Sequence, residues 1–499
     1  MNPIAQATLQ QLLPEAVNTP LASLVIGGLS QDSRTLQAGE LFFARPGLAH
    51  RGLDFIPAAA ARGAVAVLVD EAEAAALGDT DFGVPVLAIE QLARRIGPIA
   101  ALFYGAPSQS MQLIGVTGTN GKTSCAHYIA QGLNLAGRRT ALIGTVGNGF
   151  IDALAPASHT TPDPIALQRL LADFRDRGAQ AVVMEVSSHA LDQGRVAGVA
   201  FDIAAFSNLS RDHLDYHGSM DAYGAAKARL FDAMAVARLA INADDAFGRE
   251  LLQRHVAAAR QVLAFGTTPD CDVYPVSHQL NSSGMRLRLH TALGEFDVQN
   301  RLLGHFNLSN LLLSAAVLQL AGLDSAQLQR GLNGLKPVCG RMECFGGGEL
   351  PLVVIDYAHT PDALEKALQA LAEHADGQLW CLFGCGGDRD NGKRAHMGAI
   401  ASALADQVVI SSDNPRSEDP LRIIAMIQDG IDGVTPCQVE PDRALAIGRV
   451  IASARAGDIV LIAGKGHEDY QEIHGQRRPF SDQQVAQQAL ARRLQGMGS

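Results

Sequence analysis

The sequence predicts an α/β protein of three domains: an N-terminal α/β segment (1–108), a central domain with a mostly parallel sheet (109–338) and a C-terminal open α/β domain (339–499). Three observations carry this expectation. Short apolar runs alternate with helical stretches along most of the chain, the pattern of parallel strands crossed over by helices. One such run, Leu113–Val116, ends in a glycine turn that opens a helical stretch. Four runs in the last third pass straight into polar or glycine residues, and open α/β sheets bind ligands beyond the carboxyl ends of their strands.

In chain order, the first segment places strands at Ser23–Ile26, Leu41–Ala44, Ala64–Val69 and Val84–Ile89, and Gly105–Ser108 forms a linker. The second places them at Leu113–Val116, Ala141–Thr145, Ala181–Val186, Ile203–Ser207, Leu239–Ala243 and Val262–Phe265. From Val273 to Leu303 the text changes to hairpin-like alternation around Asn281–Gly284 and Gly294, which we assign to an antiparallel appendage of the same domain. The third segment's strands are Leu352–Ile355, Leu379–Phe383, Val408–Ile410 and Ile459–Ile462. They lead respectively to Asp356–His359, Gly384–Arg389, Ser411–Arg416 and Ala463–Glu468.

The net charge of −11 argues against nucleic acid or an anionic membrane as the main partner, though small anions need only local basic groups. Seven scattered cysteines without a C-x-x-C pair give neither a zinc ribbon nor a disulfide framework. No apolar run approaches a membrane span and no signal-peptide pattern opens the chain, so a cytoplasmic protein without membrane insertion is expected.

In Thr117-Gly-Thr-Asn-Gly-Lys-Thr-Ser124, a strand, a tight turn through Gly118 and Gly121 and a helix start aim backbone N–H groups and a helix dipole at one spot. Lys122 adds a point charge and the Thr123 hydroxyl suits Mg²⁺, which makes a cradle for a nucleoside triphosphate. The standard P-loop has a glycine where Val116 stands, so the spacing is irregular. Glu185, at the tip of an apolar strand, is either a Mg²⁺ ligand or a satisfied strand-end carboxylate. His213 and His217 lie one helical turn apart as in zinc proteases, but Leu214 occupies the place of the required Glu. A role for His213 near a phosphate-bound metal is the better reading. Lys227 is, by pattern, an ordinary exposed helix lysine. Asn307 and Asn310 could cap the apolar helix that follows or contact a base edge, with capping favoured. Asp32-Ser33-Arg34 reads as a turn device.

Taken in order, Thr117–Thr123, Glu185–His189, Asp212–Gly218, Ala226–Lys227, Phe306–Asn307, Gly340–Glu343 and Asp356–Pro361 resemble the motifs of the Mur ligases, ATP-dependent amide-forming enzymes of peptidoglycan precursor synthesis. The resemblance spans nearly the whole chain. It implies an N-terminal UDP-substrate-binding domain, a central P-loop domain and a Rossmann-like C-terminal domain that binds the amino acid. ATP would lie on Gly118, Thr119, Asn120, Gly121, Lys122, Thr123 and Ser124, with Asn307 at adenine and Arg341 and Asp356 completing the site. Lys227 matches the lysine that is carbamylated by CO₂ in this family. Two Mg²⁺ ions are implied, one on Thr123 and ATP, the other on Glu185, His213 and modified Lys227, with Lys122, Lys227 and His213 as the catalytic set. Ser33 and His50 match nucleotide-contacting positions; Thr160, Thr161, Ser187, Gln193 and Arg195 match those holding the UDP-N-acetylmuramoyl-L-alanyl-D-glutamate. Asp413-Asn414-Pro415-Arg416 matches the family's signature for meso-diaminopimelate rather than lysine, with Arg389, Gly464 and Glu468 beside it. A monomer is expected. The rivals are a lysine-adding relative, a folate polyglutamylating ligase, which lacks the uridine-binding first domain, and a nucleotide switch or motor, which leaves Asp413–Arg416 without a role.

Overall fold

The computed structural model describes residues 6–45, 51–78, 80–157, 159–256, 260–281 and 284–497. The chain forms two compact units, one of residues 1–264 with 317–322 and the other of 265–316 with 323–499, so it passes between them three times.

The first unit contains two sheets. A four-stranded parallel sheet runs in sequence order: β1 (Gly28–Ser30), β2 (Glu40–Ala44), β3 (Ala66–Asp70) and β4 (Val86–Ile89). Val25–Ile26, within the expected first strand, pairs instead with Ala7–Thr8 outside that sheet. Helix α1 (Leu92–Phe103) buries Leu92, Ile96, Ile99 and Phe103 in a core with Leu41, Phe43 and Leu68.

The larger sheet is built from β5 (Gln112–Thr117), β6 (Thr140–Ile143), β7 (Asn148–Phe150), β8 (Ala153–Ala155), β9 (Ala181–Glu185), β10 (Ile203–Phe206), β11 (Arg238–Asn242) and β12 (Gln261–Phe265). Its spatial order is β8-β7-β6-β9-β5-β10-β11-β12. The strand carrying the glycine loop thus lies between β9 and β10, both parallel to it, where the connection order reverses and ligands are received. The antiparallel edge strands β7 and β8 are too short for a periodic signal in the sequence. Four helices matter to the site: α2 (Lys122–Leu135), α3 (Pro164–Asp176), α4 (Ser188–Asp192) and α6 (Met220–Asp232), with the one-turn α5 (Leu214–His217) leading into the last. Their starts follow capping chemistry. Asp163, Ser187 and Ser219 each accept a backbone N–H from the first turn of α3, α4 and α6, respectively. Helix α2 differs: left-handed Gly121 (φ 83°) precedes it without a side-chain cap, so its first N–H groups stay turned to the loop.

In the second unit, β13 (Tyr274–Asn281), β14 (Gly284–Thr291) and β15 (Gly294–Asn300) form the expected antiparallel sheet. It clusters with the C-terminal residues, and one tie is His374, whose Nδ1 lies 2.7 Å from the Asn281 carbonyl while its Nε2 accepts from Gly304 N. Helix α7 (His305–Leu320) follows, residues 305–316 in this unit and 317–320 in the first. The principal sheet, in order β16-β17-β21-β18-β19-β20, contains β16 (Glu343–Gly346), β17 (Leu352–Asp356), β18 (Leu379–Phe383), β19 (Gln407–Ile410), β20 (Cys437–Val439) and β21 (Ile459–Ala463). All neighbours are parallel except β16 with β17. The four expected strands lie side by side, so their polar carboxyl ends line one edge. Helices α8 (Pro361–Ala372), α9 (Gly392–Leu404), α10 (Arg443–Ser453) and α11 (Asp482–Met497) flank the sheet, and a small hairpin, β22 (Tyr470–Ile473) with β23 (Gln476–Pro479), follows β21.

Candidate active site

The glycine loop is held from below. Gly118, at φ 148°, lies so close to β10 that a Cβ would fall 1.9 Å from Ser207 Oγ. Thr119 N donates to the Asn208 carbonyl, Asn120 N to Asn208 Oδ1, and Ser207 Oγ to the Asn120 carbonyl. Lys122 folds over the turn and donates to the carbonyls of Gly118 and Thr119, both at 2.9 Å. A mobile lysine stem is thereby fixed across the mouth of the loop, where a phosphate chain would lie.

Register sets the next element. Glu185 on β9 stands opposite Val116 on β5, so its carboxylate emerges beside the loop. It is buried, accepts from Thr123 Oγ1 (2.9 Å) and Thr145 Oγ1 (3.2 Å) through Oε2, and from Thr145 N (2.8 Å) through Oε1. A Cβ on Gly144 would sit 2.3 Å from Oε1, which explains the glycine there. The sequence admitted two readings of Glu185. It is a satisfied carboxylate, and it is joined directly to the hydroxyl expected to face Mg²⁺. Thr145, which the sequence reading passed over, connects it onward to Thr160 at 3.0 Å.

From there the polar chain continues. Thr161 Oγ1 donates to the Glu185 carbonyl and accepts from Ser187 N. Arg195 donates to the Thr161 carbonyl and, through Nε and Nη2, to Gln193 Oε1. Thr160, Thr161, Ser187, Gln193 and Arg195 therefore form one strip beside the loop. Asp163, at the start of α3, accepts from Gln31 Nε2 at 3.1 Å, which brings the Asp32–Arg34 turn to the same strip. Ser33 is buried, and Arg34 grips Asp32 through Nε and Nη2, holding the Asp32 carboxyl below the usual range. His50 lies outside the described residues.

Lys227 corrects the exposed-lysine reading. It lies on the inward face of α6 with a side chain 1% exposed, its ammonium 2.7 Å from the Gly118 carbonyl and 4.3 Å from the centre of the Tyr223 ring. Burial, and secondarily the Lys122 charge, push its pKa well below the usual lysine range. Tyr223, itself pushed up to about 12 by burial, reaches Thr119 Oγ1 at 3.2 Å. His213 adopts a left-handed backbone (φ 52°), pairs with Asp212 and packs edge-on against His189, with ring centres 4.9 Å apart. His217 lies 3.0 Å from Ser188 Oγ and packs against the same ring at 5.4 Å.

Among the described residues no three His, Cys, Asp or Glu side chains gather to hold a metal ion. The donor chemistry still fits the expected ions in a defined way. Thr123 and Glu185 already share one hydrogen bond at the loop, and Lys227 is buried against the Gly118 carbonyl of the same loop, with burial pushing its pKa well down.

The second unit has its own cluster. Asp356, at the end of β17, accepts from Met342 N and Ala358 N, and burial raises its pKa. The Arg341 guanidinium packs over Tyr357 at 4.7 Å, and among the described residues its buried Nε has no hydrogen-bond partner. Asn307 and Asn310 correct the capping expectation. Both sit inside α7, where Asn307 Nδ2 donates to the Leu303 carbonyl and Asn310 Nδ2 to Asn307 Oδ1.

At the ends of β18, β19 and β21, Asp413, Asn414, Pro415, Arg416, Gly464 and Glu468 come together. Gly387 lets the Pro415 carbonyl approach within 2.0 Å of where a Cβ would stand, and Gly464 (φ 115°) does the same for Asp413 Oδ2 at 2.5 Å. Arg416 has φ 50°, with Nη1 donating to the Gly387 carbonyl at 2.7 Å and backbone N to the Glu472 carbonyl. Arg389 is exposed on the bend just after Gly387. Three features were missed from the sequence. Lys465 is buried between Asn414 and Glu468. The fully buried Arg443–Asp482 pair (2.7 and 2.8 Å) also donates to the carbonyls of Ser412 and Ala463, tying β19 to β21. Arg394 clamps Glu418, which accepts from Asp388 N. The common signal is a charged residue inside an apolar helical or strand-end pattern; only Lys465 has one of its partners, Glu468, within reach along the sequence.

Three family descriptions match the chain: "Mur ligase family, catalytic domain" over residues 25–104, "Mur ligase middle domain" over 116–318 and "Mur ligase, glutamate ligase domain" over 340–466. The chain belongs to the Mur ligase family. Mur ligases named UDP-N-acetylmuramoyl-L-alanyl-D-glutamate–2,6-diaminopimelate ligase resemble it over almost their full length. That of Ectopseudomonas mendocina is 50% identical over 97% of this chain and 98% of its own, and that of Chromobacterium violaceum 50% identical over 94% of each. A solved structure bearing the same name is 38% identical with a TM-score of 0.75, covering 98% of this chain and 99% of that one. A Thermotoga maritima MurF ligase solved with ADP (17% identical, TM-score 0.61, 93% of this chain and 98% of that one) shares the Mur ligase fold.

Proposed function

We propose that this chain is an ATP-dependent, ADP-forming amide ligase, adding meso-2,6-diaminopimelate to UDP-N-acetylmuramoyl-L-alanyl-D-glutamate in peptidoglycan precursor synthesis. The observation that carries this reading is the Arg416–Glu468 end of the second unit's sheet. There an anchored guanidinium and a carboxylate are gathered on adjoining loops, the pair of charges that a zwitterionic amino-acid end requires. The full-length relatives with that name support it. In this reading residues 1–108 bind the UDP moiety, 109–338 bind ATP and 339–499 bind the amino acid. The protein works in the cytoplasm as a monomer.

A carboxylate does not acylate an amine at neutral pH, because oxide is too poor a leaving group. The substrate's D-glutamyl γ-carboxylate therefore attacks the γ-phosphorus of ATP, releasing ADP and forming an acyl phosphate. An amine of diaminopimelate displaces phosphate from that acyl group and leaves an amide. Lys122 and the N–H groups of residues 118–124 hold the phosphates and offset charge on the transferring group. Thr160, Thr161, Ser187, Gln193 and Arg195 orient the muramoyl-dipeptide, and Ser33 and His50 contact its nucleotide. Asn307 serves adenine, and Arg341 and Asp356 the rest of ATP; the unpaired Nε of Arg341 supports a phosphate contact. Mg²⁺, two ions in this reading, would be held by Thr123 and by Glu185, His213 and carbamylated Lys227, and would supply charge neutralisation at the phosphates. Arg416 takes the far carboxylate of diaminopimelate, which lysine lacks, with Arg389, Asp413, Asn414, Pro415, Gly464 and Glu468 around that end.

Phosphate release tests this. It should require ATP, the UDP-muramoyl-dipeptide and meso-diaminopimelate together, and fall sharply with lysine in place of diaminopimelate. Phosphate release independent of the dipeptide would sink the ligase reading in favour of a nucleotide switch or motor.

A further inference from the structure

Lys465 lies outside the residues assigned above, yet its side chain is fully buried at the amino-acid end of the sheet. It follows Gly464 at the end of β21 and reaches back across the loop after β19. Its Nζ donates to Asn414 Oδ1 and Glu468 Oε2, both at 3.1 Å, and lies 5.5 Å from the centre of the Tyr470 ring. Asn414 Nδ2 donates to the same Glu468 Oε2 at 2.8 Å, closing a three-membered ring of hydrogen bonds. Asn414 Oδ1 also accepts from Glu472 N, so its amide has one orientation that satisfies both sides.

Two acids, Asp413 and Glu468, are drawn together here, and burial raises the Asp413 pKa while Lys465 and Arg443 pull it back. A buried ammonium with two oxygen acceptors performs two tasks. It places a positive charge beside both acids, and it engages Glu468 Oε2 from inside while the side chain keeps about a fifth of its surface exposed. The other oxygen, Oε1, accepts no hydrogen bond among the described residues and is left for a positive group arriving from solvent.

We propose that Lys465 is a positioning residue for the amino-acid substrate, acting through Asn414 and Glu468 to hold the carboxylate that receives the far ammonium of diaminopimelate. The inference rests on the ligase reading above. Its role is electrostatic and orientational, since the side chain is fully buried behind Asn414 and Glu468.

The full-length protein is tested as wild type, Lys465→Met, Lys465→Gln, Glu468→Gln and the double variant Lys465→Met/Glu468→Gln. Phosphate release is followed against diaminopimelate, ATP and UDP-muramoyl-dipeptide in turn. The expected result is a 10- to 100-fold rise in KM for diaminopimelate in Lys465→Met, a smaller rise in Lys465→Gln, and KM values for ATP and the dipeptide within about twofold of wild type. The double variant should be no worse than Glu468→Gln alone, because the lysine acts through that carboxylate. Equal losses for all three substrates, independent losses that multiply in the double variant, or failure of both single lysine variants to fold would overturn the inference in favour of a purely structural lysine. A wild type that does not use diaminopimelate at all would instead overturn the ligase reading.

Discussion

At the scale of single residues, two side chains carry the sharpest tests of the proposed site. Arg416 offers a fork that matches a carboxylate bidentately, and a single-point ammonium cannot replace it. Arg416→Ala should lose about 10³-fold or more in kcat/KM for diaminopimelate while ATP binding stays within a few-fold; unchanged kcat/KM would contradict the assignment. Lys227 makes a prediction about pH. In the unmodified protein burial holds its pKa well below the ordinary 10.5, so between the folded and the unfolded value the unfolded chain binds a proton there that the folded chain lacks. Between those two values stability rises with pH, by at most about 1.4 kcal/mol per pH unit for one proton, and falls as the solution is acidified. Denaturant titrations of CO₂-free protein at pH values descending from 10.5 should show this slope in wild type and a flatter one in Lys227→Met. Lys227→Ala should be nearly inactive and partly restored by short carboxylic acids. Full activity without them would rule out a carbamate there.

At the scale of elements, loops at the strand ends are held by buried charge pairs as well as by the β22 hairpin, to which Arg416 is bridged. Arg443 on α10 and Asp482 at the start of α11 are both fully buried, and the guanidinium also serves the carbonyls of Ser412 and Ala463. Removing one partner strands the other, so Arg443→Met should cost roughly 3–5 kcal/mol in chemical denaturation. The double change Arg443→Met/Asp482→Leu should recover much of that loss; a double variant as unstable as the sum of the singles would argue against the pair. These pairs explain what the sequence reading could and could not reach. Strands such as Leu379–Phe383 were legible to the residue because an unbroken apolar run bounded by glycine has few alternatives. The glycine loop was legible because its residue types need a helix start to make sense. The burial of Lys227 was not, because helical spacing places it among alanines and says nothing of the Gly118 carbonyl 109 positions away. Lys465 and Arg443 were missed for the same reason: a charge is assigned to solvent unless its partner is known, and Asn414 and Asp482 lie 51 and 39 positions away.

At the scale of the whole molecule, the alternation of strands and helices foretold the sheets but not how the chain divides among compact units. Residues 317–322 return to the first unit after a long stretch of the second has been laid down. They are not decorative: a Cβ on Gly132 would sit 2.6 Å from Leu318, and Arg138 and Arg238 donate to the carbonyls of Ala321 and Leu320. A chain ended after residue 264 should therefore show non-cooperative thermal unfolding and dye-binding apolar surface, both of which a co-expressed 265–499 piece should reduce. A sharp, cooperative transition in the 264-residue piece alone would contradict this. The same return has a consequence for synthesis. The 58 residues from 265 to 322 take a ribosome roughly 3–12 s to add. For that interval the nucleotide-loop sheet is complete in sequence but lacks the segment that closes over Gly132, so the nascent protein passes through a stage with an unfinished apolar face.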